Sequence, residues 1–310
     1  MTDIIPFHRP YPWSKADREY ILYNIENELI SGQLTNGKHV QQLEDEIQEF
    51  YNVKYCIATS NATMGLYFSW KFYGDFLGPI HMPNFTWPSF YYLLDPNVYT
   101  EFHDINPKTW LMENDYGGGV VMPVHTFGNI TEAPRKHKNK IIYDGSHSLG
   151  CIIKDIGDAT VFSLAATKII TSCEGGLVIT NNKELAKYVR DKRDKCCRMS
   201  EPHAIIGLQT LHYLLDVMKW KREVFDYYSS KIPGQFQEVP IESNYNTIAF
   251  RNIEHLIMSD TFETKQYYEP IKLDILPNAY KLFKEIVVLP SYFNCDYKKI
   301  VEDILELNKI

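Results

Sequence analysis

The chain contains 310 residues, of which 45% are hydrophobic and 23% are charged, as in a folded globular protein and unlike a disordered or fibrous one. Its 39 acidic residues outnumber its 32 lysines and arginines, and this net charge of −7 argues against binding to the phosphate backbone of nucleic acids. No apolar run approaches the roughly 18 residues of a membrane-spanning helix, and the N-terminus lacks the apolar core of a secretion signal. We therefore expect a cytoplasmic protein without nucleic-acid or membrane partners.

The N-terminal part of the chain has two helical patterns. Ser14 and Asp17 have the spacing of a capping box, and Gly32 follows the last apolar residue of the pattern, which predicts a helix over residues 14–31. A second helix is predicted over residues 39–50, where apolar residues recur at helical spacing.

Short apolar runs then alternate with helical patterns as far as residue 200. Strands are predicted at residues 54–59, 80–83, 98–102, 119–124, 140–143, 160–164 and 176–180, with helices at 62–70 and 86–94. Because these runs are continuously apolar, both faces of the sheet should be buried. The pattern predicts an α/β fold with a mostly parallel central sheet flanked by helices.

From about residue 201 the pattern changes to a smaller α+β unit. We predict one long helix over residues 202–231, a strand at 246–250, a helix at 259–268, a strand at 285–290 and a closing helix at 296–308. The predicted domains are therefore a large one over residues 1–200 and a small C-terminal one over residues 201–310.

The six cysteines are scattered and form no CxxC pair, so we expect reduced thiols and no metal site. They are Cys56, Cys151, Cys173, Cys196, Cys197 and Cys295.

Polar residues follow several of the predicted strands, where ligands bind in α/β sheets. The residues SNAT at 60–63 open a helix and provide either an anion site or a plain N-cap. Asp144 is either an N-cap or a carboxylate that pairs with a ring N–H. Lys168 is either a surface lysine or a confined amine with a lowered pKa, which would make it a nucleophile.

Their order along the chain indicates one cofactor. A phosphate cradle at Thr63, an aromatic at Trp87, the carboxylate of Asp144, the hydroxyl of Ser163 and the amine of Lys168 are the parts needed to hold pyridoxal phosphate.

Several segments also carry a family resemblance. They are SNATMGL at 60–66, PNFTWPSF at 83–90, PVHTFGN at 123–129, YDGSHSLG at 143–150, FSLAATKIITSCEGGLVIT at 162–180 and RMSEPHAIIGLQTL at 198–211. With these motifs the sequence resembles the DegT/DnrJ/EryC1/StrS family of pyridoxal-phosphate-dependent sugar aminotransferases, which have fold type I.

The resemblance implies three catalytic residues. Lys168 would hold the cofactor through a Schiff base and move a proton during the reaction. Asp144 would pair with the protonated pyridine nitrogen, and His147 would lie near the phenolic oxygen of the cofactor.

It also implies the residues that bind the cofactor. Ala62, Thr63 and Ser163 would hold the phosphate, and Trp87 would stack on the pyridine ring. Ala62 stands where the family often has glycine.

The resemblance further implies a homodimer with shared active sites. Family members commonly carry an asparagine that reaches the partner's phosphate, and Cys196 stands in its place here. Arg198 is then either a substitute donor to the partner's phosphate or the partner of a nearby carboxylate such as Glu201.

The implied reaction moves an amino group from an amino acid, expected to be L-glutamate, to a nucleotide-linked keto sugar in aminosugar and surface polysaccharide biosynthesis. Pyridoxamine phosphate would be the other form of the cofactor. Lys168 favours transamination, because dehydratase relatives have histidine there. Another pyridoxal-phosphate reaction, such as elimination or dehydration, and a non-catalytic cofactor-binding relative remain as alternatives.

Overall fold

The seven-stranded sheet at the centre of the structure is mostly parallel, as predicted. The structure is a computed structural model that describes residues 4–74, 78–113, 117–133, 139–240, 242–272 and 276–310. Within these ranges the strands of this sheet are β1 (Tyr55–Thr59), β2 (Ile80–Pro83), β3 (Thr100–His103), β4 (Val120–Val121), β5 (Lys140–Asp144), β6 (Ala159–Ser163) and β7 (Gly176–Thr180). Their order is β1-β7-β6-β5-β4-β2-β3, and only β7 runs antiparallel to its neighbours β1 and β6.

The helices surround two sheets. In the described parts of the chain they are α1 (Lys15–Ser31), α2 (Lys38–Tyr51), α3 (Ala62–Gly74), α4 (Lys183–Cys196), α5 (Glu201–Leu211), α6 (Leu214–Lys231), α7 (Pro277–Glu285) and α8 (Tyr297–Asn308). The predicted capping box is present, since Ser14 Oγ accepts the N–H of Asp17 and Gly32 ends α1 with a φ of 76°. None of the described helices is both long and apolar enough to cross a membrane.

Both faces of the central sheet are buried, which explains the continuous apolar runs. Along β7, Val178 points to the face covered by α3 and α4, whereas Leu177 and Ile179 point to the face covered by α2 and α5. Alternate residues of one strand therefore supply two different hydrophobic layers.

A small antiparallel sheet lies near the C-terminus. It contains β8 (Gln235–Phe236), β9 (Ile248–Arg251) and β10 (Ile286–Leu289), with β9 in the middle. Tyr228 of α6, Phe250 of β9 and Ile300 of α8 pack together in its core. The fold class is thus confirmed, while the domain boundary between residues 200 and 201 stays a prediction.

Two predicted helices do not form. Residues 86–94 contain only a 3-10 turn at Tyr91–Leu93, and Pro88 disfavours helical geometry in the residue before it. Residues 259–268 pair as extended backbone instead, through bridges from Phe262 to Ile5 and from Lys265 to Val288. These long-range backbone bonds replace the local bonds that a helix would have made.

The predicted helix over residues 202–231 is interrupted at residues 212–213. Tyr213 leaves the helical path, donates its hydroxyl to Asp17 Oδ1 at 2.8 Å and stacks on Tyr11 with ring centroids 4.3 Å apart. The interruption separates α5, which packs on α1 and α2, from α6, which packs on α8.

Candidate active site

A cavity of about 520 Å³ opens where β5 and β6 end, between the N-terminus of α3 and strand β10. This volume is typical of a site for a small organic ligand. All seven residues predicted for the site line it: Ala62, Thr63, Trp87, Asp144, His147, Ser163 and Lys168.

The N-terminus of α3 forms one wall of the cavity. Asn61 Oδ1 accepts the N–H of Met64 at 2.9 Å, so this residue acts as an N-cap. The N–H groups of Ala62 and Thr63 donate to no acceptor among the described residues, and both residues line the cavity at the positive end of the helix dipole. Residues 60–63 can therefore cap the helix and still provide a site for an anion.

Gly176 allows this turn to approach the sheet closely. A Cβ atom at Gly176 would lie 2.5 Å from the backbone nitrogen of Ala62 and from the carbonyl carbon of Asn61. Two hydroxyls also line the cavity: that of Thr63, whose Oγ1 lies 2.8 Å from Ser89 Oγ, and that of Ser163. Backbone N–H groups and hydroxyls of this kind suit a phosphate group.

Lys168 lies in the loop after β6 and is partly exposed to the cavity. Its own N–H donates to the carbonyl of Ala165 at 3.0 Å, and the next N–H, of Ile169, donates to Asn246 Oδ1 at 2.8 Å. Burial lowers the pKa of Lys168 to about 8, against the opposing effects of Asp144 and Glu174. The amine can therefore lose and regain a proton near neutral pH.

Asp144 is the last residue of β5. Its Oδ1 accepts the N–H of Ser146 at 3.0 Å, and its carbonyl accepts the N–H of His125. The carboxylate lines the same cavity as Lys168 and attracts that cation. It is placed to pair with a protonated ring nitrogen.

His147 is buried and held in one tautomer. Its Nδ1 accepts the N–H of Phe127 at 3.2 Å, so the proton of the neutral ring is on Nε2, which lies 3.3 Å from the hydroxyl oxygen of Tyr268. Phe127 adopts a φ of 60° to present this N–H. Burial, with the nearby charge of Lys168, holds the pKa of His147 well below its usual value, so the ring is neutral.

Lys221, Ser291 and His8 also line the cavity, and sequence reasoning missed them. A signal for Lys221 was present, because it occupies the apolar face of α6 together with Val217 and Val224, at helical spacing. Ser291 and His8 lie in segments whose sequence shows no motif or periodic spacing that would mark them as site residues.

Cys196 and Arg198 do not line the cavity of this chain. Both are exposed, and Arg198 Nε donates to the carbonyl of Asp194 at 2.8 Å. The carboxylate of Glu201 accepts from the N-terminus of α2 instead, with Oε1 2.6 Å from the N–H nitrogen of Gly37. The suggested contact between Arg198 and Glu201 is therefore not formed within one chain.

Two groups of potential metal ligands lie outside the cavity in the described structure. His81, Glu101 and His103 meet across β2 and β3, and His39 lies between Glu28 and Glu201. A hydrogen bond accounts for the closest approach in each group, 3.0 Å between the two histidine rings and 3.0 Å from His39 Nδ1 to Glu201 Oε2.

The cavity residues fit pyridoxal phosphate. Unpaired N–H groups at a helix N-terminus suit its phosphate, the carboxylate of Asp144 suits its ring nitrogen, and the amine of Lys168 suits its aldehyde.

Comparison with known proteins agrees with this fit. GDP-perosamine synthase from Escherichia coli O157:H7 is 27% identical over 97% of this chain and 90% of its own length. Among the solved structures that share the fold is Helicobacter pylori PseC, an aminotransferase involved in the biosynthesis of pseudoaminic acid, with a TM-score of 0.85 and 19% identity over 99% of this chain and 100% of that one. Another is DesI in the presence of its TDP-sugar product, with a TM-score of 0.82 and 21% identity over 97% of this chain and 92% of that one.

Residues 15–265 match the profile of one family, and this match includes every predicted site residue. Because the match extends over most of the chain, the chain belongs to the DegT/DnrJ/EryC1/StrS aminotransferase family, and the predicted pyridoxal-phosphate-dependent aminotransferase is confirmed.

Proposed function

We propose that this enzyme transfers an amino group from L-glutamate to a nucleotide-linked keto sugar, in aminosugar and surface polysaccharide biosynthesis. The observation that carries the proposal is Lys168, an amine with a lowered pKa in the same cavity as Asp144 and the N-terminus of α3. The GDP-perosamine synthase relative and the TDP-sugar product of DesI support a nucleotide sugar as the substrate.

The chemistry divides between the cofactor and the chain. Bound pyridoxal phosphate supplies an electron sink that acidifies the C–H bond next to the reacting nitrogen. Lys168 Nζ removes that proton and returns it, because its pKa of about 8 allows both directions near neutral pH. Asp144 would hold a proton on the ring nitrogen of the bound cofactor, and neutral His147 donates from Nε2 toward Tyr268.

Steady-state assays with L-glutamate and a panel of nucleotide-linked 4-keto sugars test the proposal. We expect 2-oxoglutarate and an aminosugar in equal amounts. Release of ammonia would instead support elimination, and a cofactor absorbance that no amino donor changes would support a non-catalytic cofactor-binding protein. The presence of lysine at position 168, where dehydratase relatives have histidine, favours transamination.

We further propose a cytoplasmic homodimer in which each chain contributes to both active sites. Leu22, Tyr23, Leu29 and Ile30 expose at least 64% of their surface on α1, which supports burial of this face against a second copy. All six cysteines are free, and Cys173 and Cys196 are exposed, as suits a reducing compartment.

A further inference from the structure

Lys221 is a buried cation that the mechanism above does not use. Its side chain extends from α6 to the active-site cavity, and only 8% of the residue is exposed. Nζ donates to Ser291 Oγ at 2.8 Å and to the carbonyl of Asn246 at 3.0 Å, and both acceptors are neutral.

Lys221 has no carboxylate partner among the described residues, although Asp144 and Glu174 line the same cavity. No carboxylate of the described residues lies within 4 Å of its Nζ. The nearby Cys295 stays protonated at neutral pH, since burial raises the pKa of its thiol to about 12. His8 is neutral as well, because burial and the charge of Lys221 lower its pKa. A buried, unpaired ammonium destabilises a fold, so its presence beside the cavity indicates a binding role.

The position of Lys221 suits a small anion at the reacting atom. Lys221, Lys168, His8 and Thr167 line both the main cavity and an adjoining recess of about 40 Å³. A recess of this size is close to the volume of one or two small polar groups. An anion held there lies near Lys168, and therefore near the carbon atom that reacts.

We propose that Lys221 binds the α-carboxylate of the amino-acid donor. The donor carries this carboxylate on the carbon that bears the reacting nitrogen, whereas the reacting carbonyl of a keto sugar is uncharged and its diphosphate is remote. The phosphate of the cofactor has its own wall at the N-terminus of α3. This inference rests on the proposed function, which supplies the two substrates.

Binding of glutarate to the holoenzyme, measured by titration calorimetry, tests the role of Lys221. Glutarate has the carboxylates of the donor but no amine, so it binds without reacting. We expect Lys221→Met, and likewise the uncharged hydrogen-bonding variant Lys221→Gln, to raise the Kd for glutarate about tenfold or more. Lys219→Met removes the same charge from an exposed position of α6 and should leave the Kd within about twofold.

A nucleoside diphosphate, GDP, is the second probe, and its Kd should be the same for wild type and Lys221→Met. An unchanged Kd for glutarate in the Lys221 variants, or a loss confined to GDP, would overturn the assignment. A different result would contradict the proposed function. In that case glutarate binding would still depend on Lys221, but the wild-type enzyme would aminate no nucleotide-linked keto sugar.

Discussion

The active-site cavity brings together the amines of Lys168 and Lys221, the carboxylates of Asp144 and Glu174, and the imidazoles of His8 and His147, and these groups have different environments. Lys168 and Asp144 attract each other across the cavity, whereas Lys221 has only neutral partners in the described structure. His147 is held neutral by burial and by the charge of Lys168. These environments support the proposed roles of Lys168 in covalent attachment, Asp144 in ring protonation and Lys221 in anion binding.

Replacing Lys168 should remove the covalent link to pyridoxal phosphate. We expect Lys168→Ala to bind the cofactor without attachment and to lose amino transfer, because the variant lacks the amine that attaches the cofactor and moves the proton. Borohydride reduction followed by peptide mapping checks this. Lys221→Met serves as the control and should still be labelled at Lys168, and a label on a different lysine in wild type would refute the assignment.

Asp144→Asn should keep the fold and slow amino transfer about 100-fold or more, since an amide cannot keep the ring nitrogen protonated. Single-turnover rates, with the cofactor content verified for each sample, provide the measurement. Asp216→Asn changes an exposed aspartate of α6 and should react at the wild-type rate. Equal rates for wild type and Asp144→Asn would show that another group stabilises the ring.

Trp87 lines the cavity although 62% of it is exposed. If its ring stacks on the cofactor, Trp87→Ala loses about 1 kcal/mol and raises the Kd for pyridoxal phosphate about fivefold. Trp87→Phe retains an aromatic face and should stay within about twofold. Equilibrium dialysis measures both values, and an unchanged Kd for the alanine variant would assign the stacking to a different ring.

At the level of elements, Glu201 connects α5 to the start of α2. Its carboxylate is fully buried and accepts the N–H groups of Gly37, His39 and Val40 as well as His39 Nδ1. The N-cap residue of α2, Gly37, has no side chain to do this. A residue of one helix therefore satisfies the free N–H groups of a helix about 160 residues away in the chain.

Glu201→Gln should lower the free energy of unfolding by about 2–4 kcal/mol, because its amide N–H₂ would face backbone donors. Urea unfolding of the cofactor-free protein measures the change. The control is Glu184→Gln, an exposed glutamate in the first turn of α4, for which we expect less than about 0.5 kcal/mol. Equal stabilities for the two variants would show that water or another acceptor satisfies the N–H groups at this turn.

At the level of the whole molecule, the exposed apolar face of α1 and the exposed Arg198 lead to one prediction about assembly. Sedimentation equilibrium should give a homodimer. If Arg198 serves the partner's active site, Lys168→Ala and Arg198→Ala chains are each inactive alone. Co-expressed, they should recover about a quarter of wild-type activity, since half of the dimers are mixed and each of these has one intact site. A fully active Arg198→Ala enzyme, or an active monomer, would contradict the sharing.

The order of chemical groups along the chain was enough to predict the cofactor, and the alternation of apolar runs with helical patterns was enough to predict the fold class. Buried strands have continuous apolar runs, and the residues after them meet at one edge of the sheet, so the sequence alone predicts that Thr63, Asp144 and Lys168 converge. Helix ends with a local signal, such as Ser14 and Gly32, were also predictable, because capping depends on neighbours in the sequence.

Only the tertiary structure decided the features that depend on distant partners. The tautomer of His147 depends on Phe127 and on Tyr268, 121 residues away. The end of α5 depends on the contact of Tyr213 with Asp17, and the extended conformation of residues 259–268 depends on pairing with Ile5 and Val288. The neutral surroundings of Lys221 likewise come from separate segments. Local propensity cannot encode such contacts, since their free energy arises only when the folded chain brings remote residues together.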